Sequence, residues 1–313
     1  MAIFLVTGGA GFIGSSIAEA LLAQGERVRI LDDFSTGRRS NLEALKGNVE
    51  VVEGSIVDPE VVTGAMKGVE VVFHEAAIPS VSRSVENPQA SMLANVMGTT
   101  VVLDAARHAK VRRLVYAASS SAYGDTPTLP KIETMPAVPL SPYAVAKHTG
   151  EQLLRVFASL YGIETLSLRY FNVFGPRQDP TSQYAAVIPN FITAALEKTR
   201  PTVYGDGEQT RDFTYIANVV DGVLRAVEAP QAAGEVINVA TGGRISLNEL
   251  LRTMQAIVGS SVKPIYKDGR AGDVRDSQAD ISKARELLGY VPKVSLEEGL
   301  THTLAWARAR KGA

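Results

Sequence analysis

The stretch Thr7-Gly8-Gly9-Ala10-Gly11-Phe12-Ile13-Gly14 decides the fold. It follows an apolar, β-branched run, Ile3–Thr7, and opens a segment of helical period, Phe12–Gln24. Gly8, Gly11 and Gly14 stand three apart. In a strand-to-helix turn the first glycine permits a tight bend and the second lets backbone approach a pyrophosphate. The third lets the helix pack closely, with its N-terminus facing the phosphates. The next apolar strand ends in Asp32, 18 positions beyond Gly14, where a carboxylate can accept the hydroxyls of an adenine ribose. That charge repels a 2′-phosphate, so NAD is expected rather than NADP. Arg38 and Arg39 are the counter-evidence, but on a polar segment past the strand they read as a solvated helix start.

Outward from the turn, short β-branched runs alternate with segments of helical period. The expected strands are Ile3–Thr7, Arg27–Asp32, Val49–Glu53, Val69–His74, Arg113–Ala118 and Glu164–Tyr170, and the expected helices Phe12–Gln24, Ser40–Leu45, Asp58–Met66, Ala90–His108 and Pro142–Tyr161. This rhythm predicts an α/β fold with a doubly wound parallel sheet, the Rossmann arrangement, over residues 1–171. From Asn172 it breaks at Gly175-Pro176, Asp179-Pro180 and Gly205-Asp206-Gly207, and residues 172–313 read as a smaller α+β lobe. Within it Val236–Ala240 has strand character and Leu247–Val258, Ser282–Leu288 and Leu296–Arg310 helical character; a segment of about 212–240 is expected to return to the first lobe.

Of 313 residues, 45% are hydrophobic and 21% charged, which excludes disorder as the main state. Lys plus Arg number 32 against 33 for Asp plus Glu, so the basic excess of a nucleic-acid binder is missing. Cysteine is absent, which removes disulfides, thiolate metal sites and a cysteine nucleophile. His74, His108, His148 and His302 have no metal-ligand spacing, so no metal is expected. No apolar run approaches the roughly 18 residues that span a bilayer, and the first one is too short for a signal segment. A cytoplasmic protein without a membrane partner is the expectation.

Chemistry enters at Ser141-Pro142-Tyr143-Ala144-Val145-Ala146-Lys147. A capping serine and a proline at the first helical position start a helix whose Tyr143 and Lys147, four apart, share one face. A phenol with a pKa near about 10 is a poor base at neutral pH, and an adjacent ammonium favours its phenolate. Upstream, Val115 to Gly124 carries Ser119-Ser120-Ser121 at a strand's carboxyl end, the edge where open α/β sheets bind ligands. A serine there can hold both a sugar hydroxyl and the tyrosine.

Together with Asp32-Asp33-Phe34-Ser35-Thr36-Gly37 and Leu168-Arg169-Tyr170-Phe171-Asn172-Val173-Phe174-Gly175, these motifs resemble, in order and over essentially the whole chain, the extended short-chain dehydrogenase/reductase family. The similarity is strongest to its UDP-galactose/UDP-N-acetylglucosamine 4-epimerases. The resemblance implies Ser119, Tyr143 and Lys147 as catalytic residues. It implies NAD held by Gly8, Gly11, Phe12, Ile13, Gly14, Asp32, Asp33, Ser35, Thr36 and Gly37, with Ala76, Ala77 and Asn95 along its channel and Phe171 on the nicotinamide face. Ser55-Ile56 stands where many relatives carry Asp-Ile against adenine. Ser80, Ser119, Ser120, Asn172, Val187, Tyr204, Arg211, Arg270 and Asp273 match positions that hold the sugar nucleotide. The two arginines suit its phosphate charges, with surface pairing to Asp212 and Asp273 the plainer alternative.

The implied reaction is transient oxidation at C4 of a UDP-hexose to a 4-keto sugar, rotation of the sugar, and return of the hydride to the other face. Relatives that dehydrate or decarboxylate carry an acid in the serine segment; Ser121 stands there instead, which favours epimerisation over those two alternatives. A non-catalytic NAD-binding regulator is the reading from outside enzymology, and an intact Ser119/Tyr143/Lys147 set argues against it. Ser277 occupies a position that is a bulky tyrosine in glucose-restricted relatives, so an N-acetyl group at C2 is expected to fit, giving UDP-GlcNAc/UDP-GalNAc beside UDP-glucose/UDP-galactose. The family further implies a homodimer through a four-helix bundle formed by Ala90–His108 and the Tyr143 helix.

Overall fold

In the computed structural model, which describes residues 2–179, 186–259, 262–269 and 274–311, the glycine turn leaves an interior strand of a parallel sheet. The strands are β1 (Ile3–Thr7), β2 (Arg27–Asp32), β3 (Val49–Glu53), β4 (Val69–His74), β5 (Arg113–Ser119) and β6 (Glu164–Tyr170). After β7 (Val173–Phe174), β8 (Thr202–Tyr204), β9 (Thr210–Arg211) and β10 (Thr214–Tyr215), the strand β11 (Val236–Val239) adds a seventh to that sheet. The order is β11-β6-β5-β4-β1-β2-β3. From β1 the chain builds outward to β3 and then crosses to β4, so the order reverses between Thr7 and His74, which are register partners. The carboxyl ends of strands at such a reversal form a ligand crevice.

The strands are apolar almost throughout because both faces are covered. Alternate residues enter different cores: Val6, Ile30, Phe73, Val115 and Leu168 pack in one cluster with residues of α1 (Phe12–Ala23) and of the later helix Ile216–Val227. Leu5, Leu31, Val72, Leu114 and Tyr116 pack on the other side, with residues of α2 (Pro59–Ala65), Gly98–His108 and Pro142–Tyr161.

One expected helix does not form, and another carries a π-turn. Ser40–Leu45 forms only a three-residue 3-10 turn, Arg39–Asn41, because the buried Asn41 amide donates to Ala10 O (2.9 Å) and pins the segment to the glycine turn. After α3 (Val81–Glu86), the expected Ala90–His108 helix runs from Pro88 to His108 as α4 (Pro88–Met92), a π-turn at Leu93–Met97 and α5 (Gly98–His108). Pro88 starts α4 under an Asn87 cap. The helix α6 (Pro142–Tyr161) runs as expected, with Ser141 Oγ accepting the Ala144 amide (3.2 Å) and Gly162 ending it at φ 70°.

The remaining helices are α7 (Val187–Glu197), α8 (Ile216–Val227), α9 (Leu247–Val258), α10 (Ser282–Leu288) and α11 (Leu296–Lys311), with short strands β12 (Ile245–Ser246) and β13 (Ile265–Lys267). A third core of Phe174, Ile188, Phe191, Phe213, Leu250 and Leu300 fills the lobe that α7, α9 and α11 build. The α8–β11 segment packs instead against α1 and β6. The chain thus returns to the sheet before building α9.

Candidate active site

The glycine turn is as tight as its spacing implies. Gly8 sits at φ 67°, and a Cβ there would lie 2.7 Å from Ala76 backbone across the strand reversal. A Cβ on Gly14 would lie 2.3 Å from Gly8 O. Gly11 is the N-cap of α1, with no side-chain cap and no acidic residue in the first turn, so the amide dipoles heading the helix face a phosphate freely. Phe12 and Ile13 contribute backbone to that end while their side chains pack into the third core.

Asp32 is buried, and its Oδ2 accepts the Ala10 amide (2.9 Å) and its Oδ1 the Phe34 amide (2.8 Å). Burial pushes its pKa up; the two amides pull the other way. A Cβ on Gly37 would touch Asp32 Oδ1 at 2.7 Å, so glycine keeps that carboxylate accessible. Gly8, Asp32, Asp33, Ser35, Thr36, Ser55, Ile56, Ala76 and Ala77 line one cavity of about 320 Å³. Arg38 pairs with Asp179 (2.5 Å), and Arg39 pairs with Glu53 (2.6 Å) and stacks on Phe34. With both cations neutralised by carboxylates, the site suits a plain ribose. A bent backbone cradle, an uncapped helix end and an acidic ribose acceptor together fit a dinucleotide such as NAD.

Two expected cofactor residues stand behind the cavity. Asn95, on the π-turn, is buried and grips the loop after β4, accepting from Ile78 N (2.8 Å) and donating to Ile78 O (3.2 Å). Phe171 is fully enclosed with Tyr123, Ala240 and Ile281. Neither lines the cavity.

At the carboxyl edge of β5, Tyr143 and Ser119 line the same cavity, and Ser119 Oγ accepts from Ser121 Oγ at 2.8 Å. Lys147 Nζ is buried, donates to Ala117 O (2.8 Å) and lies 4.8 Å from the Tyr116 ring centre. Burial pushes Lys147 down to about 8, with Glu75 and Glu151 pulling back. The expected lowering of the tyrosine is not what the site shows. Burial pushes Tyr143 up to about 12; the nearby Ser119 hydroxyl lowers it, but the charge of Glu75 adds to the rise. Glu75 is a member of the site that the motifs do not pick out.

Ser119, Ser120, Tyr143, Asn172, Arg211 and Ser277 line a cavity of about 240 Å³. Asn172 and Arg211 continue into a larger neighbour of about 350 Å³ that Ser80, Val187 and Tyr204 also line. Arg270 and Asp273 lie outside the described residues. Ser80 doubles as the α3 cap, accepting the Arg83 amide. Asp212 is not the partner of Arg211: it is fully buried and accepts from Thr241 N and Oγ1, Gly242 N and Ala279 N. It ties the β9 strand to the segment that carries Ser277, while Arg211 donates to Thr210 O (2.8 Å). Among the described residues no group of three His, Cys, Asp or Glu could hold a metal, and no helix is long and apolar enough to cross a membrane.

A glycine turn at the switch point of a parallel sheet, beside a Ser–Tyr–Lys set at its carboxyl edge, defines a nicotinamide-dependent enzyme of the extended short-chain dehydrogenase type. The chain belongs to the NAD dependent epimerase/dehydratase family, whose model matches residues 4–240. A UDP-glucose 4-epimerase of Mycolicibacterium smegmatis is 41% identical over 97% of this chain and 98% of its own. The structure of a UDP-glucose 4-epimerase from Thermotoga maritima with UDP-glucose superposes with a TM-score of 0.95 at 39% identity, over 99% of each chain. A UDP-N-acetylglucosamine 4-epimerase from Methanobrevibacter ruminantium M1, in complex with UDP-N-acetylmuramic acid, gives 0.94 at 36% over 99% of each.

Proposed function

We propose that the protein inverts C4 of a UDP-hexose through a 4-keto sugar, using NAD, and that it accepts acetylated as well as plain hexoses. The observation that carries this is one cavity holding Ser119, Tyr143, Asn172, Arg211 and Ser277, set against the dinucleotide cradle. When bound, NAD supplies the acceptor and later donor of the C4 hydride. Gly8, the α1 amides and Asp32 hold it. Ser119, beside Tyr143, aligns the sugar 4-hydroxyl, and Tyr143 takes its proton and, once the keto sugar has turned, returns one to the same oxygen. Lys147 supplies the positive charge beside the reacting phenol. Arg211 meets the diphosphate, and Asn172, Val187 and Tyr204 enclose the nucleotide arm.

Ser121 donates to Ser119 and brings no acid of its own, which supports epimerisation over decarboxylation or dehydration. Ser277 supports the acetylated substrates: it is small, and its amide donates to Thr210 O (3.1 Å), which fixes it in the cavity wall. The same reading makes the protein a cytoplasmic homodimer. Exposed Val85, Leu93 and Met97 of the α3–α5 run and Val145, Val156, Leu160 and Tyr161 of α6 supply an apolar face for a four-helix bundle. The test is incubation of purified protein, without added NAD, with UDP-GlcNAc, UDP-glucose and UDP-glucuronate in turn. Epimers at C4 are expected from the first two; a pentose product from the third without epimers would reject the reading.

A further inference from the structure

Glu75 is the first residue after β4. Its amide donates to Thr7 O (3.2 Å), which holds it at the strand reversal facing Gly8, where it also lines the dinucleotide cavity. Its Oε1 accepts from the Tyr170 hydroxyl at 2.9 Å. Tyr170 ends β6 in register with Ser119 at the end of β5, and β5 pairs with β4 on its other side. Glu75, Ser119 and Tyr170 therefore stand at three adjacent strand ends, under the α6 face that carries Tyr143 and Lys147. A carboxyl at this point is a chemical group without a role in the proton transfer described above.

We propose that Glu75 is a third ionisable member of the site, a positioning residue whose carboxyl competes with the Tyr143 hydroxyl for the positive charge of Lys147. The proposal rests on Tyr143 and Lys147 being the proton-transfer pair. Among the described residues, the titratable groups around Glu75 are few. From α6 come Tyr143, Lys147 and, behind the lysine, Glu151; from β5 comes Tyr116, from β6 Tyr170, and from β4 His74. Burial pushes both flanking phenols, Tyr116 and Tyr170, well above their ordinary range, so they stay protonated. It pushes His74 down to about 3, so the imidazole stays neutral. The charge of Lys147 acts on Glu75 and on Glu151, the latter also paired with Arg169 (2.7 Å), and Tyr143 feels the charge of Glu75.

Burial also pushes Glu75 up to about 7, while the Tyr170 bond and the Lys147 charge draw it down. Two acids beside one cation titrate anticooperatively. While Glu75 holds its proton, the full field of Lys147 favours the Tyr143 phenolate; once Glu75 ionises, its charge holds Tyr143 as the phenol. Removal of either partner must then move the other, in opposite directions for the acid and the base.

The test reads ionisation rather than turnover. Carbon-13 carboxyl NMR of glutamate-labelled protein, as purified, should show a carboxyl titrating at about 7 that is missing from Glu75→Gln. Lys147→Met should move it upward by about one unit or more. Reciprocally, the ε-carbon of Lys147, titrating at about 8 in wild type, should move downward in Glu75→Gln and recover in Glu75→Asp. If Glu75→Gln does not fold, Tyr170→Phe takes its place: loss of the bond to the carboxylate should raise the Glu75 titration. A Glu75 carboxyl that titrates in the ordinary range near about 4.3, or one that Lys147→Met leaves unmoved, overturns the proposal. Turnover separates this from the functional reading. An active epimerase should show its acid limb of kcat displaced to lower pH in Glu75→Gln, whereas an inactive wild type with coupled titrations refutes the reaction and leaves the coupling standing.

Discussion

Glu151→Ala should be among the most damaging single changes in the chain, although Glu151 contacts no proposed ligand. The carboxylate receives Arg169 through two bonds, Nε at 2.8 Å and Nη2 at 2.7 Å. The two side chains are only 1% and 4% exposed. His148 Nδ1 adds a third contact at 3.0 Å. Alanine leaves the guanidinium in place, since its face lies 4.5 Å from the Tyr123 ring centre, but without a counter-charge. Its Nη1 has no partner even in the intact protein, so the surroundings offer little to replace the lost acceptor. Breaking a buried pair in this way costs about 3–5 kcal/mol, against about 0–1 kcal/mol for an exposed one. Urea unfolding followed by circular dichroism measures the difference as a fall in midpoint at constant slope. Glu151→Leu combined with Arg169→Met, which removes both charges and keeps the volume, should recover most of the loss. A loss under about 1 kcal/mol for Glu151→Ala would refute the reasoning, because it would equate this pair with a solvated one.

Gly14→Ala puts a Cβ 2.3 Å from Gly8 O, with no flexible side chain to yield; it should displace α1, cost about 1–3 kcal/mol and strip the dinucleotide, measured as nucleotide released from denatured protein. His74, lodged between Thr7 (2.7 Å) and Thr99 (3.0 Å), titrates at about 3 when folded against 6.5 ordinarily. Between those values the unfolded chain binds a proton that the native state refuses, so stability falls on acidification by up to about 1.4 kcal/mol per pH unit. Unfolding curves of wild type and His74→Gln should converge in slope with pH only if His74 is not the source. Ser277→Tyr should depress turnover of UDP-GlcNAc at least about tenfold, as overpacking of a fixed wall implies, and spare UDP-glucose; equal effects on both would remove Ser277 as the gauge of the C2 substituent.

The sheet was legible because its determinants are local. Six β-branched runs, a glycine turn and Asp32 carry their meaning within a few residues, and their strands form nearly where the pattern puts them. The π-turn inside Ala90–His108 was not legible, since its Asn95 reaches the backbone of Ile78 across the fold. Ser40–Leu45 failed for the same reason, through Asn41. Glu75 was missed for a different one. A glutamate between His74 and Ala76 has no period or spacing to mark it; its significance lies in the strand ends and the α6 face that meet it. The chance that Asp212 was merely a surface partner of Arg211 likewise could be settled only by its burial.

The ion pair that makes Glu151 costly to lose also begins a path to the substrate wall. Arg169 lies on the face of Tyr123, and the Tyr123 hydroxyl donates to Asn238 Oδ1 at 2.7 Å. Asn238 Nδ2 then donates to Lys131 O (3.0 Å) and Asp280 O (3.1 Å), and the Lys131 amide donates to Gln278 O (2.7 Å). Every step runs through buried or half-buried groups, from the helix that carries Tyr143 to the segment that carries Ser277. In such surroundings a satisfied hydrogen bond adds only about 1 kcal/mol, but an orphaned partner costs about 1–3 kcal/mol. A small displacement of either end therefore meets a steep penalty. A phenol that must serve one sugar oxygen in two orientations of the ring needs the facing wall held at a constant distance, and this chain of polar contacts, whose Tyr123 and Lys131 themselves line the cavity, holds it.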